Sequence, residues 1–264
     1  MMFKKLSAMF GGGASVDTVL ATPQTQPGGV LRGEVRIGGG NVEMVVDRVE
    51  LELVARVEVE GQTLGGEDYE HNTNLAFQRL HLGHRFSLQP GAFHAVPFEL
   101  AVPWETPITS VNGYPLHGMQ LGVRTELELA GALDKGDMDP IQVNPLPAQA
   151  RLLDAFNRLG FQFKGADLER GTLYGSRLPF YQEIEFYPAH QYAGAVNELE
   201  VTFISGPQSM DVLLELDKRG GFLSSGSDAY NRFTVQYAGA EDLNWEQWLH
   251  EHLQILTQRR GLFQ

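Results

Sequence analysis

The sequence predicts an all-β protein of two tandem β-sandwiches, with a linker helix and a C-terminal helix. Three observations carry that prediction. Apolar residues recur at every second position through much of the chain. Clusters of Gly, Pro, Asn and Asp interrupt these runs at short intervals. Two segments depart from the pattern and carry the longer spacing of a helix. Alternation places one side of a strand in a core and the other toward water, and short strands between frequent turns are the pattern of a sandwich.

The elements follow in order. "TQPGGVLRGEVRI", residues 25–37, is a Gln-Pro-Gly turn feeding a strand. From Val49 to Glu60, Val49, Leu51, Leu53, Ala55, Val57 and Val59 alternate with Glu50, Glu52, Arg56, Glu58 and Glu60, and Val54 is the one break. This reading puts the glutamates on a solvent face, as it does those of "EIEF" at 183–186. "SLQPGAFHAVPFELAVPWETPIT", residues 87–109, repeats the Gln-Pro-Gly turn and fences a strand with prolines. Proline donates no ladder hydrogen bond, so Pro97 and Pro103 suit an edge strand or strand ends. "LGVRTELEL" alternates again through Leu121, Val123, Leu127 and Leu129.

"NPLPAQARLLDAFNRLGF" then predicts a helix over 147–159, with Pro147 in its first turn and Gly160 just past its end. Leu152, Phe156 and Leu159 form one apolar stripe. Alternation returns at Leu199, Val201 and Phe203, at Val212, Leu214 and Leu216, and at Phe233, Val235 and Tyr237. The C-terminal "AEDLNWEQWLHEHLQILTQRR" reads as a helix with acids at its start and Arg259 and Arg260 at its end, matching the helix dipole. The division is therefore 1–145 for the first sandwich, 146–240 for the second with its leading helix, and 241–264 for the C-terminal helix.

Composition narrows the function. The 264 residues are 42% hydrophobic and 20% charged, an ordinary globular mixture with enough chain to bury a real core. Net charge is −13, and both halves are acidic: residues 1–145 carry 10 basic and 18 acidic side chains, residues 146–264 carry 10 and 15. Nucleic-acid binding needs clustered Lys and Arg, which neither half offers. The chain has no cysteine, which excludes disulfides, thiolate metal sites and a cysteine nucleophile and fits the cytoplasm. "LSAMF", the apolar stretch after Lys4 and Lys5, is too short for a secretory signal, and no run reaches the length of a membrane span.

Candidate chemistry is sparse. "DKGDMDP" gathers Asp134, Asp137 and Asp139, but its spacing is not that of an EF-hand and it suits a hairpin turn. His81 and His84 fall on opposite faces of a strand, and His250 and His252 sit about 200° apart on a helix, so neither pair chelates a metal well. Nucleophile-elbow, phosphate-loop and dinucleotide motifs are absent. No catalytic, metal or cofactor residue is assigned. Phe3, Leu6 and Met9 or Phe10 beside Lys4 and Lys5 would form a short membrane-touching stripe, though one stripe anchors weakly and a segment folded back on the sandwich is favoured. Trp245, Trp248, Leu249 and Leu256 share a face of the last helix and make a candidate partner surface, with core packing the competing role.

Four ordered blocks, "QPGGVLRGEVRIGGGNVEMVVDRVELEL", "QPGAFHAVPFELAVPWETPIT", "LDAFNRLGFQFKGADLE" and "LPFYQEIEFYPAHQYAGAVNELEVTFI", resemble the SpoOM sporulation-control family from about Met2 to about Tyr237. The second block also resembles the arrestin N-terminal domain. The resemblance implies two arrestin-like sandwiches in a cytoplasmic bacterial protein that regulates by binding other proteins, with no catalytic motif or cofactor to carry over. The final tryptophan-containing helix falls outside it. A β-sandwich that binds a small lipid or sugar is the alternative, because a pocket between sheets leaves little local signature.

Overall fold

The computed structural model describes residues 13–62, 68–193, 197–216 and 231–258, with backbone alone for 62, 68 and 256–258. The strands are β1 (Ser15–Leu20), β2 (Gln24–Thr25), β3 (Val30–Gly38), β4 (Met44–Gln62), β5 (Asp68–His81), β6 (Phe86–Leu88), β7 (Phe93–Ala101), β8 (Ser110–Val111) and β9 (Tyr114–Pro115). Then come β10 (Leu121–Leu129), β11 (Lys135–Pro140), β12 (Gln142–Val143), helix α1 (Pro147–Arg158) and β13 (Gln162–Arg170). β14 (Phe180–Tyr187), β15 (Leu199–Ser205), β16 (Ser209–Leu216), β17 (Asn231–Gln236) and helix α2 (Trp245–Gln258) complete the order. The fold is all-β with two helices.

The first half is sheet on sheet. A small sheet in the order β1-β3-β7 packs on the part of a large sheet formed by β11, β10, β4 and β5. Leu31, Val35 and Ile37 of β3 and Phe98 and Leu100 of β7 share one buried core with Leu51 and Leu53 of β4 and Val123 and Leu127 of β10. β7 is an edge strand with Pro97 at its centre, where the missing N–H disturbs no second neighbour. The break at Val54 is a β-bulge: pairing with β5 shifts between Leu53 and Val54, and Phe77 falls between the paired residues Gln78 and Ala76.

β4 joins the halves. It pairs with β10 as far as Ala55, opposite Leu121, and runs on to Gln62 with β5 still beside it. The freed edge then meets β13 in a parallel bridge between Glu58 and Glu169. The large sheet therefore continues as β13-β14-β15-β16-β17. In this second half both helices pack on the sheet, Phe156 of α1 stacking on Phe186 of β14 and Trp248 of α2 meeting Phe233 of β17.

Local sequence explains how α1 starts and stops. Pro147 opens it, and the Gln149 side chain accepts the Leu146 N–H at 2.8 Å, satisfying a donor that the first turn leaves free. At the other end Gly160 takes φ 93°, Gly160 N–H donates to Asn157 O and Phe161 N–H to Phe156 O, closing a Schellman motif. The matching apolar contact is present as an edge-on Phe156–Phe161 pair at 5.4 Å.

One expectation needs correction. Two of the glutamates opposite the core of β4 do not face water, Glu50 at 4% exposed and Glu52 at 2%, while Glu60 is exposed as expected. Glu52 is bound by Arg79 at 2.8 Å and by Arg124, while Glu50 takes His81 at 2.8 Å. Long side chains from β5 and β10 lie across the outer face of a central strand and cover it. Alternation separates core from non-core, and the non-core side of a wide sheet need not be solvent.

Candidate functional site

The residues expected to present a surface on α2 lie mainly inside the chain. Trp245 and Leu249 are buried in the main core together with Leu253. Trp248 is half-buried, stacked on His252 at 3.9 Å and edge-on to Phe233 at 5.9 Å. The Leu256 side chain, Arg259, Arg260 and the N-terminal stripe lie outside the described residues. Arg158 of α1 binds Glu246 of α2 at 3.0 Å, and His250 meets Tyr192 Oη at 2.5 Å, so the helix is seated on its own half. "DKGDMDP" is mostly strand β11 rather than turn. Asp134 accepts Leu129 N–H at 3.1 Å and Asp137 accepts Thr18 N–H at 2.9 Å, so both serve the backbone.

What the topology opens instead is a cleft of about 850 Å³ between the two halves. Gly28–Val30, Phe77 and Trp104 come from the first half, and Arg177, Ile204 and Arg232 from the second. Trp104 stands at its wall, 36% exposed. Gly28, at φ 73°, lets the indole lie flat against the backbone, since a Cβ there would sit 2.5 Å from the ring. On another side of Trp104 lies an apolar cavity of about 340 Å³, lined also by Leu146, Pro147, Ala148 and Tyr237.

Polar ties fix the two walls. Glu105 Oε2 accepts from Ser176 Oγ at 2.7 Å and Arg177 N at 2.8 Å. Gln182, buried on the inner face of β14, accepts Ile108 N–H at 3.0 Å and donates to Ile108 O at 2.8 Å, reproducing a strand-like pair with a side chain. Removing one partner strands the other. We expect Glu105→Ala to lower stability by about 1–2 kcal/mol in denaturant unfolding, with Glu105→Gln recovering part of the loss. Equal stability of Glu105→Ala and wild type would show that this tie does not hold the walls.

A second feature lies where the β4–β5 hairpin meets the second half. Glu58, Glu60 and Glu70 of the hairpin face Asp167 and Glu169 of β13, Glu183 and Glu185 of β14, and Glu198, Glu200 and Glu215 beyond. Carboxylate oxygens of Asp167, Glu169 and Glu183 all lie within 4.8 Å of one another, as do those of Glu185, Glu198 and Glu200. Either trio has the oxygen chemistry of a hard cation site. Lys164 answers the second trio, at 3.4 Å from Glu185 and in contact with Glu198. Among the described residues the first trio has no Lys or Arg ion pair, and Asp167 Oδ1 is buried without a hydrogen-bond partner.

Electrostatics follow from that crowding. Burial, then neighbouring carboxylates, push Glu183 up to about 9 and Glu169 to about 8. Burial and then Glu70 raise Glu58 to about 7, and burial and then Glu185 raise Asp167 to about 6.

This frame is shared with known proteins. A model of the SpoOM protein family matches residues 3–220. The chain belongs to the SpoOM family. The sporulation-control protein spo0M of Bacillus subtilis (strain 168) is 33% identical over 219 residues, which are 82% of this chain and 81% of that protein. The crystal structure of Spo0M from Bacillus subtilis matches with a TM-score of 0.81 and 29% identity, over 93% of this chain and 99% of that one. The resemblance read from the four sequence blocks is therefore a family relationship. The SpoOM match spans both walls of the cleft as far as Asp211 and the carboxylate cluster as far as Glu215, while α2 follows it.

Proposed function

We propose that this chain is a non-enzymatic regulator of the sporulation-control type, a cytoplasmic scaffold or adaptor that binds other proteins through the cleft at Trp104. One observation carries the reading: the cleft offers an aromatic anchor while its carboxylates are already engaged. Glu105 is held by Ser176 and Arg177, and Asp211 by Arg232 and Thr234, while Trp104, Phe77 and Arg177 are also in the lining. Aromatic and arginine side chains in a concave site are the usual anchors of protein partners. The arrestin likeness of the proline-fenced strand, which ends beside Trp104, agrees with a binding role. No helix among the described residues is long and apolar enough to cross a membrane.

The test is affinity capture from host cells with wild type, Trp104→Ala and Arg177→Glu. Proteins retained by wild type and depleted at least about tenfold by either variant, each with an unchanged melting curve, support the cleft. The same proteins retained by all three would move the contact elsewhere. The 340 Å³ apolar cavity beside Trp104 favours a second reading, a small apolar ligand. A molecule retained in native mass spectrometry of the purified chain, with no protein captured, would decide for it.

A further inference from the structure

Among the described residues, three large side chains with no polar atom are more than half exposed: Val42 at 60%, Phe93 at 68% and Leu133 at 85%. The other large hydrophobic side chains beyond one half are Tyr114, Tyr174 and Tyr187, whose hydroxyls water solvates. Val42, Phe93 and Leu133 all lie at one end of the first half. Val42 is in the β3–β4 loop, Phe93 is the first residue of β7, and Leu133 is in the β10–β11 turn. Gly38 at the end of β3 pairs with Phe93, Gly39 N–H donates to Ala92 O at 2.8 Å, and Gly91 N–H donates to Gly40 O at 3.0 Å. Ala130 N–H donates to Val45 O at 2.9 Å, which ties the Leu133 turn to the start of β4. From there β4 runs roughly 45 Å to its bridge with the second half at Glu58, at about 3.3 Å per residue. The cleft is also remote, because β3 and β7 reach it with their other ends, Val30 and Ala101.

These tips stand on separate loops with polar neighbours: Asn41 and Glu43 around Val42, His94 after Phe93, and Asp134 after Leu133. A protein partner needs a continuous, shape-matched apolar core. The fluid boundary between lipid headgroups and acyl chains admits isolated apolar tips. β1 also starts at this end, with Ser15 opposite Gly38 and Gly13 beside Lys135. The sequence stretch with Phe3, Lys4, Lys5 and Leu6, outside the described residues, therefore joins the fold here. Nearby carboxylates are engaged: Glu43 by Ser87 and by Gln89 at 2.7 Å, Asp134 by Leu129 N–H, and Asp47 by Arg85 at 2.9 Å. A net charge of −13 works against anionic headgroups, so insertion of the tips drives the contact and charge does not. We propose that this end is a membrane-surface contact, in which Val42, Phe93 and Leu133 enter the headgroup–acyl boundary of a lipid bilayer and leave the cleft facing away from it. The contact is shallow and does not depend on what the cleft binds.

Flotation of the full chain with vesicles of phosphatidylethanolamine and phosphatidylglycerol in equal parts tests this. Wild type should float with the vesicles, and salt at about 0.5 M should lower its partition by no more than about twofold, because salt screens charge and not apolar burial. Val42→Ser/Phe93→Ser/Leu133→Ser should partition at least about tenfold less, with an unchanged melting curve. Should the triple variant fold poorly, Leu133→Ser alone, at the most exposed tip, should still lose about threefold. Tyr114→Ser/Tyr174→Ser, which removes exposed rings from elsewhere, should partition like wild type. Wild type that does not float, loss of binding in salt, a triple variant that floats equally, or the same loss in the tyrosine variant would each overturn the contact. A host protein held by wild type and lost by the triple variant, with no vesicle binding in either, would make this end a protein interface instead.

Discussion

Moving from about pH 8 to about pH 6 should make this protein more stable, and Glu183→Gln should remove much of that gain. Glu183 is pushed up to about 9, first by burial and then by the Glu200 charge. In the unfolded chain a glutamate titrates near 4.5. Between these values the folded state binds a proton that the unfolded state does not, so stability falls as pH rises. The contribution is complete below the unfolded value and is lost as pH climbs through the folded one. One such proton is worth at most about 1.4 kcal/mol per pH unit, so about 2–3 kcal/mol across this interval, less whatever water screening remains at the site. Glu169, Glu58 and Asp167 are raised for the same reasons and add in the same direction. In a chain of this size the melting midpoint should rise by several degrees on acidification, at about 2–4 °C per kcal/mol. Glu183→Gln should match wild type near pH 6 and exceed it near pH 8. A wild type that is more stable at pH 8, or a variant with the wild-type slope, would refute the protonation of Glu183.

The contrast between Glu52 and Glu183 shows what alternation reveals and what it hides. Both sit at polar positions of alternating runs, and both read as solvent-facing. Glu52 is covered by Arg79 and Arg124 from strands that pair with β4, and Glu183 by carboxylates from strands that pair around β14. The partner is set by register between segments far apart in the chain, and no local period encodes it. What is encoded locally is legible: the inward face of β4, its break at Val54 as a bulge, α1 with its cap, and β7 as a proline-bearing edge. The tryptophans of α2 stand out for the same reason, because a helical stripe is a local pattern, yet Trp245 is buried in the core. Trp104 lies in "VPWETP", where no period marks it, and only the meeting of residues 28–30, 77 and 175–177 around it makes a cleft. The local signal available was a lone large aromatic between two prolines.

Phe156→Ala should be the most damaging single substitution considered, at about 3–5 kcal/mol. Phe156 is fully buried at the join between α1 and the second sheet. Its ring stacks on Phe186 of β14 at 4.7 Å with planes 10° apart, and meets the edge of Phe161 at 5.4 Å. Phe161 in turn stacks on Tyr192 at 5.3 Å, and Tyr192 reaches His250 of α2. The ring thus lies inside a chain of aromatics that couples α1, the sheet and α2, and each pair adds about 0.5–1.5 kcal/mol beyond area burial. Truncation to Ala leaves a cavity that neighbours on two rigid layers cannot close, and it removes the apolar half of the Schellman cap. Equilibrium denaturation should show the loss, with the melting midpoint down by roughly 10 °C. Phe156→Leu should lose less than half as much, since it refills most of the volume without the stacking. A loss below about 1 kcal/mol for Phe156→Ala would mean that α1 is held by its ends and its salt bridge to α2, and that the aromatic chain does not bind the helices to the sheet.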